Sequence, residues 1–452
     1  MKNIANPVPT YKIEVSDLPK AESSSKTEPI IETSSEDSVS ATDQDLDEKP
    51  PAIAVLPFSN MSGDAEQDYF VDGITEDIIT NLSLWRSFPV ISRNSSFTFK
   101  GKSMKLKDVA KELGARYIVE GSVRKGGKRV RITAQLIDAE QDHHLWSEKW
   151  DKNLEDIFDI QDEVSASIAA QINPTLEDYE RERIERVKPT NYNAWETYLK
   201  SLQIFNNRNP SDHEDIELKK ALSLCEKAIK LDDSMSHAYS LLAKICEWEL
   251  LQFTTEDSKK TLNEMLSYGK KAEELDSKNP IAAYNIARHY FFSGKFEQAK
   301  FYSERAIQLN PSYPDAQNIL GQSLVHSGKF AESEKHFHKA IELNPLDPNA
   351  ILYKDGLYFA QMGLGNYEMA YLLIEECISQ FSKAGFYKGF KAAVLGYLDK
   401  KTEAKDALEE YLSLRPNLKT KEDYKRIFVP NSSLADILIE GLCRAGWEPN
   451  QP

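Results

Sequence analysis

The sequence predicts an α/β module with the element order β-α-β-α-β-β-β-α, followed by an all-α superhelix of paired helices. Three observations predict it. An unbroken apolar run, AIAVLPF (Ala52 to Phe58), opens the ordered part of the chain. Two strand-like runs with alternating apolar residues flank Gly126-Gly127. In the second half, a short motif returns after 34 residues and strand patterning stops.

Each element of the module has its own signal. The Ala52 to Phe58 run reads as a strand buried on both faces. In DYFVDGITEDIITNLS, Phe70, Ile74, Ile78 and Leu82 fall four apart, which makes one helical stripe. Phe88 to Ser92 (FPVIS) reads as a second strand. Leu106, Val109, Ala110 and Leu113 mark a helix closed by Gly114. The pair Gly126-Gly127 signals a hairpin. Beyond it, Val130, Ile132, Ala134 and Leu136 alternate with Arg131, Thr133 and Gln135, so one face is buried and the other wet. LWSEKW (Leu145 to Trp150) adds a strand with Trp146 and Trp150 on one face, and Ile157, Val164, Ile168 and Ile172 line a closing helix. The module is expected over residues 51–175.

After Lys188 the texture is helical. SGKF occurs at Ser293 to Phe296 and again at Ser327 to Phe330; Ala306 and Ala340, and Asn310-Pro311 and Asn344-Pro345, keep the same spacing of 34. That period is the tetratricopeptide length. The small residues allow close helix approach, and the prolines end the second helix of each pair. The register extends back to Ala272 and, across an insertion of about ten residues, to Ala228, and forward to Ala370 and Ala404. About six units are expected over residues 190–418, with a capping helix for the open end of the stack within residues 430–447.

Ahead of the module, Thr10 to Val15 alternates as a short strand would, so residues 1–15 read as a lone strand-like piece. Residues 16–50 are rich in Ser, Glu, Asp and Thr and read as a flexible acidic linker.

Composition narrows the function. The net charge of −16 argues against a nucleic-acid binder, which needs a basic footprint, and disfavours an anionic membrane surface. Cys225, Cys246, Cys377 and Cys443 lie far apart, suggesting neither a zinc cluster nor a disulfide framework. No apolar run is long enough to span a bilayer, and the start MKNIANPVPTYK lacks the apolar core of a signal peptide. A cytoplasmic setting is the expectation.

No catalytic constellation stands out: there is no P-loop, GxGxxG, HExxH or GxSxG. Asp72, Glu76 and Asp77 in DGITED read as carboxylates near a helix N-terminus rather than a metal cluster. His143 and His144 are adjacent, so along a strand they point to opposite faces. The hairpin RKGGKRVR, with Arg124, Lys125, Lys128, Arg129 and Arg131, reads first as an ordinary solvated hairpin tip; the alternative is a patch that could take an anion, an acidic partner or the acidic linker. In the two cleanest repeats, Tyr284, Arg288, Phe291, Phe292, Asn318, Gln322 and His326 fall at positions that face the concave side of such a superhelix. Aromatic, amide and Arg side chains suit an extended peptide or a partner helix, although Phe291 or Phe292 could instead pack between units. The expectation is a non-enzyme with no cofactor that binds protein or peptide partners.

The wording of several stretches carries a resemblance. PPAIAVLPFSNMSGDAEQDYFVDGITEDIITNLS, VISRNSSFTFKGK, VAKELGARYIVEGSVRKGGKRVRITAQLIDA and HLWSEKWDKNLEDIFDIQDEV together resemble the TolB-amino-terminal-like domain that precedes tetratricopeptide repeats in many bacterial multidomain regulators. In that family the module usually follows an effector domain, often a class III adenylate or guanylate cyclase and sometimes a winged helix. Lys2, Asn3, Ile4, Pro7, Val8 and Tyr11 match the closing strand of such a cyclase domain, so the lone strand resembles its remnant. The resemblance implies paired aspartates for two metals and purine-reading residues upstream; no position here matches them, so no metal or nucleotide residue carries over. Cyclases of this class act as dimers, which makes a homodimer an expectation of the resemblance alone.

Overall fold

The computed structural model describes residues 50–172, 191–208, 216–252, 254–347, 350–380 and 385–450. The strand-like piece at 1–15 and nearly all of the acidic linker at 16–50 lie outside the described residues.

A five-stranded sheet organises the module. Strand β1 (Ile53–Val55) and the two-residue β2 (Ser59–Asn60) both run parallel to β3 (Tyr117–Gly126). Strand β4 (Arg129–Asp138) returns antiparallel to β3 through Gly127, whose φ of 59° suits the tight hairpin. Strand β5 (His143–Asn153) forms the far edge, with an irregularity of register between Leu136 and Ile137. Helices α1 (Asp68–Ser83) and α4 (Ile157–Ile172) cover one face, burying Ile74, Ile78, Ile160 and Val164 against Val119, Ile132 and Leu136. On the other face α3 (Leu106–Leu113) buries Val109 and Leu113 against Ala54 and Ile118. Gly114 closes α3 at φ 64°. The apolar run at Ala52 to Phe58 is continuous because β1 is covered on both sides.

Two predicted strands are shorter than the sequence suggests: the Ala52 to Phe58 run yields only Ile53–Val55, and Phe88 to Ser92 yields less still. Phe88 to Ser92 contributes a single parallel bridge, Val90 to Ile53, followed at once by the short helix α2 (Arg93–Phe97). Pro89 has no N–H to give; it accepts from Ile53 N at 2.9 Å, while Ile91 N donates to Ile53 O at 2.8 Å. The next donor, Ser92 N, bonds instead to Leu343 O at 2.9 Å, in the helical half of the chain.

Six antiparallel helix pairs follow among the described residues. They are α5 (Tyr192–Asn207) with α6 (Ile216–Leu231), α7 (Ser236–Leu251) with α8 (Ser258–Leu275), and α9 (Pro280–Phe292) with α10 (Phe296–Leu309). Then come α11 (Pro314–His326) with α12 (Phe330–Leu343), α13 (Ile351–Leu364) with α14 (Tyr367–Gln380), and α15 (Phe386–Tyr397) with α16 (Lys401–Leu414). The first helices α7, α9, α11 and α13 touch one another in succession and form the inner wall. A short α17 (Lys421–Lys425) leads to α18 (Leu434–Arg444). Helix α18 packs on the first helix α15, where a Cβ on Gly441 would come within 2.6 Å of Ala393 O.

Module and repeats share one hydrophobic core. Trp195 on α5 meets Phe70 and Phe158 edge-on at 5.9 and 5.0 Å. A Cβ on Gly73 would lie 2.6 Å from Leu199, so only glycine lets α1 and α5 approach this closely. The module also rests on the Asn-Pro turns of the repeats. Asn310 donates to Ser83 Oγ at 2.9 Å, and Val90 N donates to Ser312 Oγ at 3.0 Å. Ser95 donates to Asn344 Oδ1 at 2.7 Å, and Asn94 to Asp347 at 2.9 Å.

Candidate functional site

The inner wall carries a buried polar cluster built from consecutive first helices. Tyr284 and Arg288, one turn apart on α9, both reach back to Glu247 on α7. The Tyr284 hydroxyl donates to the Glu247 carboxylate at 2.9 and 3.0 Å, and Arg288 Nε lies 2.6 Å from Oε1. Arg288 also reaches forward, donating from Nη1 to Gln322 Oε1 on α11 at 3.1 Å, and Gln322 donates to Asn318 at 3.5 Å. Its guanidinium lies over the Phe292 ring at 4.6 Å. Beside this chain Lys244 pairs with Asp315 at 3.5 Å and sits over the rings of Tyr284 and Tyr313. Burial disfavours the charge on Arg288 and on Lys244, yet the surrounding carboxylates and tyrosines outweigh it and raise both. Burial first, then Glu247, pushes the Tyr284 phenol well above its usual range. Both cations stay charged and Tyr284 stays a donor at neutral pH.

Five of the seven positions picked from the sequence, Tyr284, Arg288, Phe292, Asn318 and Gln322, meet in this cluster. Tyr284, Arg288 and Asn318 are themselves buried there, and the other two do not face open groove either. Phe291 packs into the core beside Phe296 and against the His326 ring at 5.1 Å. His326 is buried, and its Nδ1 lies 2.7 Å from Ser432 Oγ in the segment before α18. Burial drives its pKa down to about 3, so the imidazole is neutral. Phe292 also leans between units, onto the cluster of Cys246 and Met265.

Sequence reading missed Lys244, Glu247 and Asp315. A signal for the first was present: allowing for the inserted residues between α7 and α9, Lys244, Arg288 and Gln322 occupy the same position of three successive repeats.

The basic hairpin does not converge on an anion site. Arg129 and Arg131 both grip Asp151 across the β4–β5 pair, each with an Nε contact of 3.0 Å, and hold that carboxyl down to about 2. Lys125 Nζ is half-buried against α5, donating to Tyr192 Oη at 2.9 Å and to Glu196 at 3.4 Å. Arg124 donates to Met61 O at 3.1 Å, which leaves Lys128 exposed at the tip. Cross-strand neutralisation and docking against α5 consume the patch. The DGITED carboxylates are likewise engaged separately, Asp72 by Lys100, Glu76 by Arg93 and Asp77 by Gln161. His143 and His144 are both exposed on β5. Among the described residues no group of three His, Cys, Asp or Glu is placed to hold a metal ion, and no helix is long and apolar enough to cross a membrane.

Comparison with known proteins agrees with the helix pairs. Tetratricopeptide repeat families match residues 281–313 and 314–347, and these two segments are tetratricopeptide repeats. The module, over residues 49–167, matches the second domain of HilA/YgeH-like transcriptional regulators. A relative from Rhizobium meliloti (strain 1021), named "Putative adenylate cyclase 3", is 37% identical over 250 residues. That match covers 55% of this chain and 42% of the relative, so the chain spans less than half of its length. Among solved structures, YrrB, described as a TPR protein with an unusual peptide-binding site, is 20% identical with a TM-score of 0.32, covering 43% of this chain and 93% of its own. PilF of Pseudomonas aeruginosa is 16% identical with a TM-score of 0.37, covering 50% and 92%. TolB from Acinetobacter baumannii is 20% identical with a TM-score of 0.24, covering 29% and 31%. None of these three structures reaches a TM-score of 0.5, so the repeats rest on the family matches and the observed pairing.

Proposed function

We propose that this chain is a non-catalytic interaction and regulatory protein of bacterial signalling that binds protein partners along the inner wall of its tetratricopeptide superhelix. The observation that carries the reading is the ordered polar row Lys244, Arg288 and Gln322 on successive first helices, flanked by aromatic rings. A polar position that recurs from repeat to repeat on a rigid scaffold suits an extended segment whose own polar groups recur. A photo-crosslinking residue placed at Gln322 in the native cells tests it, with the same residue at exposed Phe301 on α10 as control. Discrete protein adducts are expected at position 322 and not at 301. Identical adducts at both, or none at 322, would remove the inner wall from consideration.

A second reading is supported by the cyclase-named relative: the chain is the regulatory C-terminal portion of a class III adenylate or guanylate cyclase. On that reading residues 1–15 are the end of the cyclase domain, 16–50 a tether, 51–175 a TolB-amino-terminal-like module and the assembly a cytoplasmic homodimer. Intact mass of the protein from its own cells separates the two readings. A heavier species with cyclase peptides, turning over ATP or GTP, favours the second; a mass of 51.4 kDa rejects it.

A further inference from the structure

Between α17 and α18 the chain turns back over its own repeats. Val429 packs on the apolar cluster of Phe291 and Phe296, where α9 turns into α10. Pro430 O sits against Gly294 so closely that a Cβ there would come within 2.2 Å of it. Asn431, at φ 63°, donates from Nδ2 to Gly294 O at 3.3 Å. One repeat further on, Ser432 Oγ meets His326 Nδ1, and Ser433 donates to His326 O from both its amide and its hydroxyl at 3.0 Å. Leu434 is then fully buried with Val325, Phe337 and Leu357.

The chemistry of this contact is general. The last carbonyls of a helix lack intrahelical donors and lie at the negative end of its dipole. Ser433 brings N–H and O–H groups to the last carbonyl of α11, and Asn431 brings its amide to the Gly294 carbonyl in the turn after α9, while Val429 and Leu434 fill the apolar sites on either side. The spacing fits as well. An extended residue advances about 3.3 Å, and packed helices stand about 8–10 Å apart. About three residues therefore step from one repeat to the next, as Pro430 and Ser433 do. Gly294 and Gly328, one repeat apart at φ 66° and 79°, shape both turns and keep them free of side chains.

We propose that the rim formed by the turns after α9 and α11 is a peptide-binding site, occupied here by the chain's own Val429–Leu434 segment. Its exchange partner is a segment of another protein with the same chemistry: an apolar residue, then short amide and hydroxyl side chains, then a leucine-like residue, without carboxylates. The inference rests on the reading of the repeats as a peptide-binding scaffold and adds where the peptide lies and what excludes it. The bound internal segment makes the site self-inhibited, so partner affinity depends on how readily residues 429–434 lift.

The probe is a fluorescent synthetic peptide of residues 428–435, FVPNSSLA, titrated by anisotropy into the full chain. Wild type is expected to bind it at least tenfold more weakly than Val429→Ser/Ser432→Ala, in which the internal segment has lost an apolar anchor and a hydrogen bond. Adding Gly294→Val, whose side chain occupies the space of Pro430 O, should abolish the gain. Hydrogen exchange of α18 amides beyond its first turn verifies that the rest of the helix stays docked; if it does not, Ser432→Ala alone is the variant read. Equal affinity of wild type and the loosened variant, or a gain that survives Gly294→Val, overturns the proposal. Crosslinks at position 322 report on the inner wall separately, so their presence beside a negative result here would reject the rim site alone.

Discussion

Removal of the Arg288 guanidinium should destabilise the protein by far more than the bond it loses. Arg288 and Glu247 are 7% and 11% exposed, with the charged atoms 2.6 Å apart. Desolvation of two buried ions roughly cancels their attraction, so the intact pair adds little net stability. Breaking it is another matter. In Arg288→Met the Glu247 carboxylate would remain buried with the Tyr284 hydroxyl as donor and the Lys244 charge nearby, a state that costs at most about 3–5 kcal/mol, offset by about 1 kcal/mol from that bond. Glu247→Met should cost about 2–3 kcal/mol, because Arg288 keeps Gln322 and the Phe292 ring. Replacing both with Met removes the ions together and should cost about 1 kcal/mol. Urea unfolding followed by intrinsic fluorescence measures all four corners of the cycle, with unchanged slopes as the check on a common unfolding reaction. The double variant should be more stable than the sum of the singles predicts by at least about 2 kcal/mol. Additivity within about 0.5 kcal/mol would refute a closed, mutually dependent pair.

Three further outcomes follow from the geometry. Asn344→Ala removes the acceptor shared by Ser92 and Ser95 and the donor to Tyr353, all in a buried turn, and should lower stability by about 2–3 kcal/mol in the same urea assay. Gly73→Val drives a side chain into Leu199 and should cost about 1–3 kcal/mol, with faster proteolysis between module and repeats. His326 is held near 3 when folded, whereas a free imidazole titrates near 6.5. The unfolded chain therefore takes up the proton first, and the stability tied to this group falls as pH drops from about 6.5 toward 3. Histidine proton shifts for His326 should not titrate above pH 5, and His326→Gln should flatten the stability profile there by up to about 1.4 kcal/mol per pH unit.

What could be read from the sequence follows the range of the interactions involved. The helix pairs were legible because each repeat solves one packing problem with the same small residues, so Ala306 and Ala340 announce themselves by spacing. The hairpin at Gly126-Gly127 was legible because turn chemistry and strand alternation are both local. The strand at Phe88 to Ser92 was over-read because its donors are divided between β1 and the repeats, which a window of five residues does not disclose. Lys244 is recoverable only across the inserted residues, and Glu247 not at all, since Phe291 and Val325 hold its position in the next two repeats. The cover over Phe291 and His326 was invisible for a stronger reason: Ser432 lies more than a hundred residues from His326, and no local pattern marks it as a ligand of the turn.

The joint between module and repeats bears on how either half can act. Trp195, Tyr198 and Leu199 on α5 are nine-tenths buried, and Trp195 and Leu199 pack against Phe70, Phe158 and Gly73 of the module. Farther along, Asn310, Ser312 and Asn344 place their polar groups on Ser83, Val90 and Ser95. A repeat array alone normally loses stability gradually, since each unit touches only its neighbours. Here the module touches the first, third and fourth helix pairs at once and ties them into one cooperative body. Residues 191–450 expressed without the module should thus expose Trp195 and two unsatisfied turns, at 310–312 and 344–347, and unfold in a broad transition well below that of the full chain. A fragment as stable and as cooperative as the full chain would mean that the module is only tethered. The constraint matters for function, because an array clamped at three pairs cannot flex freely around a partner. Adjustment to a ligand must then come from the parts that are not clamped, and the segment before α18, held by side-chain hydrogen bonds to two turns, is the one that lies on the binding rim.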